Sequence, residues 1–318
     1  DIRRADDQVL QRLPVAAVAP RLGPTVAITR TVLHQLLVDA LADRAEVRLV
    51  EMSRDGLAER ITGTPGVHIL NHGRIEHPRS LNAGIAYVYP FWHLDPLGIR
   101  AFSSIGAVRF RAGEVDGEAA QVFFQRLKGR MVGGRISRYE QPPEREVLPK
   151  AGAAIFLQSE GHRVVGETLY LDRWTMVRAV LEAVQTPVLV KPHPRDFDPE
   201  TGAKLEKLMA EFRHLSVTTA NIHDVLQATE RVVTINSAVG IEAYLYRKPL
   251  ILCGKADFHH IADVVQTPQA LQDALHKEVS GRPYAKYIHW YFGQQCLNAG
   301  AADLVDRAWA RIAPLFLQ

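Results

Sequence analysis

Short β-branched runs alternate with stretches of helical apolar spacing along this chain. Residues 25–29, 47–50, 67–70 and 85–89 read as strands, the last stopped by Pro90. Between them, residues 31–41 carry Val32, Leu33, Leu36, Leu37, Ala40 and Leu41 at helical intervals, and 117–130 predicts another helix. The stretch 138–150 is proline-rich, charged and aperiodic, and reads as an interdomain linker. A second series follows. Strands are expected at 153–157, 187–190, 215–219, 231–235 and 249–252. Helices are expected at 172–184, 200–212, 222–228 and 237–246, with Asp172 and Asn221 as N-caps. Helical segments at 268–276, 283–295 and 301–316 close the chain.

Strands alternating with helices predict parallel sheets of the α/β class. The expected architecture is two Rossmann-like domains facing a cleft. Residues 1–148 would form an acceptor domain and 149–282 a nucleotide-sugar donor domain, with helices 283–318 set to pack back on the first. Many nucleotide-sugar glycosyltransferases have this GT-B arrangement, an analogy of fold alone.

Composition narrows the class. The 318 residues suit two domains, and 47% hydrophobic with 23% charged residues allows a full core in a soluble protein. A net charge of +3 is too mild to argue for nucleic acid. It suits a surface that meets anionic lipid or glycan, or simply an ordinary enzyme. Cys253 and Cys296 are too far apart in sequence for a disulfide framework or a zinc knuckle, so a reducing cytoplasm is expected. No apolar run is long enough to span a bilayer, and no signal peptide is visible. The opening Asp1-Ile-Arg-Arg is compatible with a fragment of something longer.

Ligands bind beyond the carboxyl ends of strands in open α/β sheets. Lys191-Pro-His-Pro194 follows one buried run there, and its prolines hold the backbone extended on either side of His193. Asn236 and Ser237 follow another and open a helix, which caps it and leaves N–H groups for an anion. Glu242, about one and a half turns on, is suited to a ribose hydroxyl or to solvent. Gln158, Glu160 and His162 follow the 153–157 strand, where a carboxylate can serve as nucleophile or base. In the first half, His72, Arg74, Trp92 and His93 follow strands, and an aromatic there can stack on a sugar ring. No spacing supports a metal: no helical His-x-x-x-His is present, and His259-His260 would point apart on a strand.

Gln158-Ser-Glu160, Lys191-Pro-His-Pro194, Asn236-Ser-Ala-Val-Gly-Ile-Glu-Ala243 and Lys248-Pro-Leu-Ile-Leu-Cys-Gly254 together resemble the bacterial capsule-polysaccharide synthesis transferases, the retaining β-Kdo transferases that use CMP-Kdo. The His-Pro pair and the Ser-bearing helix start are also similar to bacterial sialyltransferases. The likeness runs through roughly residues 153–260. It implies that His193 contacts the CMP phosphate, Ser237 the phosphate or its neighbour, and Glu242 the ribose. It implies a catalytic carboxylate in the Gln-x-Glu loop. The family often carries a carboxylate two residues after that Glu, where this chain has His162. Glu160 is therefore the candidate nucleophile and His162 a candidate base, with Asp172 next in line.

The donor side is thus expected to comprise Gln158, Lys191, His193, Pro194, Asn236, Ser237 and Glu242. No cofactor or metal is expected beyond CMP-Kdo itself. The partners would be a nucleotide sugar and a glycan or glycolipid acceptor, at the inner face of the inner membrane, with peripheral membrane association and without nucleic acid. Two alternatives stand beside this: a transferase using CMP-sialic acid or a UDP-sugar, and a non-catalytic glycan- or nucleotide-binding partner in polysaccharide assembly.

Overall fold

The structure, a computed structural model, describes residues 2–3, 9–11, 41, 44–48, 50, 55–159, 167–196, 198–278 and 281–317. The expected strand at 25–29 and, save for Leu41, the helix at 31–41 lie outside them. Val47, Arg48 and Val50 are not in a strand.

Strands β1 (Ile2–Arg3) and β2 (Val9–Gln11) form a small antiparallel pair. Strands β3 (His68–Asn71), β4 (Ser80–Ile85) and β5 (Phe91–Asp95) belong to a four-stranded sheet. The second half contributes β6 (Ala151–Phe156), β7 (Val188–Lys191), β8 (Leu215–Val217), β9 (Thr229–Thr234), β10 (Leu250–Leu252) and β11 (Asp263–Val264). Near the C-terminus, β12 (Leu297–Asn298) returns to pair with β5.

The second sheet is parallel throughout, in the order β11-β10-β9-β6-β7-β8. The chain winds outward from β6 to β8, then crosses back to β9 and winds the other way. This is the doubly wound order, and its switch point lies between β6 and β9. Phe156 pairs with both Thr234 and Lys191, so three strand ends finish level with one another. Both faces are covered, which is why these strands read as apolar runs rather than alternating ones. Ala153, Ile155, Val188, Val190 and Val233 pack on Met176, Val177 and Val180 of the Arg173–Ala183 helix. Ala154, Phe156, Leu189 and Val232 pack with Ile222, Val225, Tyr87, Phe91 and Phe292. Each buried Val, Leu, Ile, Phe or Met among them contributes about 1.5–3 kcal/mol, and this second cluster runs without a break into the first half.

The first-half sheet is mixed. Its order is β12-β5-β4-β3, with β3 and β4 parallel and the other pairs antiparallel. The expected strand at 85–89 is instead a turn: Ile85 ends β4, Tyr87 takes a left-handed φ of 67°, and the Tyr89–Pro90 peptide is cis. Ala86, Tyr87 and Val88 are buried, so the apolar run reports a core-facing turn rather than a strand. On the other side of this sheet Trp92, Leu94 and Leu297 pack with Ala308 and Ile312 of the Leu304–Ile312 helix.

Candidate active site at the switch point

The loops after β6 and β9 are tied to each other. The Gln158 side chain donates to Asn236 Oδ1 (2.8 Å) and accepts from the Asn236 amide (2.9 Å). Asn236 Nδ2 then donates to Thr168 Oγ1 (2.7 Å) and the Lys255 carbonyl (2.9 Å). Both carboxamides, expected to meet the donor, thus brace one loop against the other. Gly254 permits the tight approach of the neighbouring segment, since a Cβ there would lie 2.8 Å from the Thr168 carbonyl oxygen.

Lys191 also departs from its expected role. Its ammonium is buried and donates to the carbonyls of Thr219 (2.9 Å) and Ala220 (2.6 Å). Burial lowers its pKa, and the charge binds the end of β7 to the segment after β8 instead of facing a ligand. His193 is half-buried beyond it. The Arg195 amide donates to His193 Nδ1 (3.1 Å), so the proton of the neutral ring sits on Nε2. The two prolines lack an N–H, which leaves Arg195 to make this bond. Arg173, buried in its helix, fixes the same loop: it donates to Asp196 (2.6 Å) and pairs with Asp198, while Thr201 Oγ1 also donates to Asp196 (3.0 Å). Pro194 lies exposed in the turn.

The helix expected from Ser237 begins later. It spans Val239–Ala243 and continues as a 3-10 turn, Tyr244–Tyr246. Ser237 precedes it, half-buried, its Oγ accepting from the Val239 amide at 3.4 Å. Five residues make a weak dipole, so the anion site expected at this terminus loses its main support. Glu242 is not on a solvated face: it is 3% exposed. Ser137 Oγ donates to its Oε1 (3.2 Å), and Oε2 is buried with no partner among the described residues. Burial pushes this carboxyl up to about 8, against the Ser137 bond and the nearby Arg138 charge.

Ser137 immediately precedes the 138–150 segment read as an interdomain linker. Residues 135–142, which include the start of that segment, are docked on the N-terminus of the Ile222–Ala228 helix. Arg135 forks onto Asp224 (2.7 and 3.0 Å), Asn221 Nδ2 donates to the Pro142 carbonyl (2.8 Å), and the Ile222 amide donates to Gln141 Oε1 (3.2 Å). Beneath it lies a cavity of about 440 Å³, lined by Ser137, Tyr139, Gln141 and Asn221 among others. Tyr139 stands edge-on to His193, ring centroids 5.1 Å apart. Of its lining residues, Ser137 bonds Glu242 and Tyr139 contacts His193. Sequence reasoning missed Ser137, Arg138 and Tyr139. An Arg-Tyr pair in a proline-rich segment is the one local signal that points to them.

The expected acceptor residues divide. Trp92 and His93 are 4% and 1% exposed, because β5 is covered on both faces, and neither can meet an acceptor. Burial pushes the His93 imidazole down to about 3, so it is neutral, and its Nε2 lies 3.6 Å from Asp257 Oδ2. Arg74 is exposed, sits 3.6 Å over the Phe102 ring and pairs with Glu167 from the second half. His72 is half-buried with a left-handed φ of 54°, bonded to Asn71 Oδ1 (2.8 Å). Glu160 and His162 lie outside the described residues. Asp172 is occupied as a helix cap, accepting from the amides of Trp174 (2.9 Å) and Thr175 (3.0 Å) and from Thr175 Oγ1 (2.5 Å). Partial burial would raise this carboxyl, but the Thr175 and Trp174 bonds outweigh it and hold it low. Among the described residues no three His, Cys, Asp or Glu side chains are grouped to hold a metal, and no helix is long and apolar enough to cross a membrane.

The model of a family described as "Capsule polysaccharide biosynthesis protein" matches residues 175–286. That stretch contains the Lys191–Pro194, Asn236–Ala243 and Lys248–Gly254 motifs and begins after Gln158. No curated protein matches the chain in sequence. Among solved structures, Thermosulfurimonas dismutans KpsC, beta Kdo 2,7 transferase, is similar with a TM-score of 0.53 at 13% identity, over 89% of this chain and 95% of that one. Its beta Kdo 2,4 transferase counterpart scores 0.46 at 14% identity, over 78% and 88% of the two chains. AviGT4, a glycosyltransferase involved in avilamycin A biosynthesis, scores 0.37 at 11% identity, over 89% and 88%. Only the first score is high enough to carry a likeness of fold. The resemblance to capsule-polysaccharide synthesis proteins is borne out, and the architecture is the α/β, GT-B type.

Proposed function

We propose that this chain is a retaining glycosyltransferase of capsule-type polysaccharide assembly that moves Kdo from CMP-Kdo to a glycan or glycolipid acceptor. The acceptor would be met in the cytoplasm, at the inner face of the inner membrane. What supports this reading most is that Ser137 and Tyr139, which line one cavity, contact Glu242 and His193, which follow β9 and β7 at the carboxyl-end crevice of the second sheet. Nucleotide ligands of doubly wound folds bind at that crevice.

Each group then has a task. Glu242 and Ser137 offer hydrogen-bonding oxygens suited to a ribose diol. His193 carries a proton on Nε2, held in that tautomer by the Arg195 amide, and can donate it to the departing phosphate. Glu160 is the proposed nucleophile. Its carboxylate forms a bond to the anomeric carbon as the bond to CMP breaks and its electron pair leaves with the phosphate. The acceptor hydroxyl, losing its proton to His162, then displaces Glu160 from the opposite face, so configuration is retained overall. Arg74, exposed, and His72, half-buried, are the remaining acceptor-side candidates of the first half. One phosphate needs little charge neutralisation, so turnover is expected to persist in EDTA.

The test is acceptor-dependent CMP release by the full chain, run on CMP-Kdo, CMP-sialic acid and UDP-sugars. CMP-Kdo should be consumed and the product should keep the β configuration by NMR. His193→Ala should lower the rate by about two to four orders of magnitude with the fold intact. Glu160→Gln should bind CMP and fail to transfer. Inversion at the anomeric carbon would refute the double displacement. Absence of turnover with every donor would favour a binding protein.

A further inference from the structure

Several buried or half-buried arginines of this protein are neutralised by carboxylates: Arg135 by Asp224, Arg173 by Asp196 and Asp198, Arg282 by Asp263. Three near Tyr139, two of them half-buried and Arg195 exposed, are not. Arg100, from the first half, has a left-handed φ of 55°. Its Nε reaches the Ile85 carbonyl only at 3.4 Å, and its Nη2 is buried without a partner among the described residues. Arg138 lies next to Ser137, its guanidinium 5.5 Å from the Tyr139 ring. Arg195, two residues after His193, approaches the same ring at 5.0 Å. No carboxylate pairs with any of the three among the described residues.

We propose that Arg100 and Arg138, with Arg195 at the rim, form a receptor for an anionic group of the donor, a phosphate or a sugar carboxylate. The proposal rests on the donor reading above. It adds three arginines, one of them from the Arg100–Phe102 turn of the first half, to the grouping of Ser137, Tyr139, His193 and Glu242. Like charges gathered in a partly buried place repel one another, and an anion between them relieves that repulsion. The repulsion is visible in Arg100: burial, then the charge of Arg138, pushes its pKa down to about 10, which still leaves it protonated at neutral pH. Glu242, the carboxyl nearest in kind, stays largely neutral there and would not repel an incoming anion. Planar guanidinium forks match two oxygens of a carboxylate or phosphate at once, which a lysine cannot do. Tyr139, between Arg138 and Arg195, holds their planes by cation–π contact.

Calorimetric titration of the full chain with cytidine, CMP and CMP-Kdo separates the sources of the anion. If the receptor takes the phosphate, Arg138→Met should weaken CMP and CMP-Kdo by about tenfold or more and leave cytidine unchanged. If it takes the sugar carboxylate, CMP should bind as in wild type and only CMP-Kdo should weaken. Arg138→Lys, keeping the charge without the fork, should recover part of the loss. Arg100→Met should reproduce the pattern. Should that variant unfold, Arg138→Met, in the irregular segment, still decides the matter. An Arg138→Met protein that binds all three ligands like wild type, or loses cytidine equally, overturns the receptor while leaving the donor reading intact. A wild type that binds neither CMP nor CMP-Kdo overturns both.

Discussion

Two buried carboxyls of this protein stand in opposite conditions. Asp257 accepts hydroxyls on both oxygens: Tyr87 (2.7 Å) on Oδ1, Ser103 (3.0 Å) and Tyr291 (2.8 Å) on Oδ2. These three donors come from the first half and the C-terminal segment, so the acid knots distant parts of the chain together. Glu242 is as deeply buried, yet it has one hydroxyl from Ser137 and an oxygen without a partner among the described residues. Burial raises both groups, Asp257 to about 7 and Glu242 to about 8. A satisfied buried acid holds a fold together. A half-satisfied one weakens it, and persists where a ligand completes it. The difference marks the first as architecture and the second as a site.

The sharpest way to break this comparison is to remove each acid. Asp257→Ala leaves three buried hydroxyls unpaired, and should cost about 3 kcal/mol or more in denaturant unfolding. CMP affinity per folded molecule should stay within about threefold, since Asp257 touches no cavity-lining residue. Glu242→Met should do the reverse. An apolar side chain of similar size replaces an incompletely paired acid, so at pH 5 stability should stay within about 1 kcal/mol of wild type. CMP affinity should fall about tenfold to a hundredfold as the ribose contact is lost. A Glu242→Met protein that binds CMP normally would remove Glu242 from the site.

A pH series sharpens the same contrast. A carboxyl raised in the fold keeps its proton where the unfolded chain has lost it. Its stabilising contribution is full below about pH 4.5 and is lost as pH climbs through about 8 for Glu242. One such proton gives a fall of up to about 1.4 kcal/mol per pH unit within that window. Glu242→Met should therefore show a shallower decline than wild type between pH 5 and 8 in urea midpoints. Parallel curves would mean that Glu242 titrates normally.

The smallest effect is expected at Asp172. Asp172→Ala removes a helix cap and should cost about 1 kcal/mol. Donor turnover should change by less than about threefold. A hundredfold loss of turnover would instead make Asp172 the nucleophile.

Much of the second half is legible in the amino-acid sequence alone. Val188–Lys191, Thr229–Thr234 and Leu250–Leu252 are parallel strands covered on both faces, and such strands announce themselves as short apolar runs between prolines, glycines and charges. The caps at Asp172 and Asn221 are legible for the same local reason. The run at 85–89 carries an equally strong apolar signal and is a turn, because burial in a core leaves the same trace as a strand.

The sequence by itself determined where the strands of the second sheet end, and so brought His193, Ser237 and Glu242 to one edge. It determined the motif likeness that the family match supports. Only the tertiary structure decided which way their side chains turn. Lys191 turns inward to the Thr219 and Ala220 carbonyls, and Trp92 and His93 vanish between two packed layers. Residues 137–139, where the linker begins, fold back to set Ser137 on Glu242 and Tyr139 against His193. Strand ends follow from local polarity and period, which a short window of sequence contains. Side-chain partners follow from contacts between residues a hundred positions apart, such as Ser137 and Glu242, and no local pattern records those.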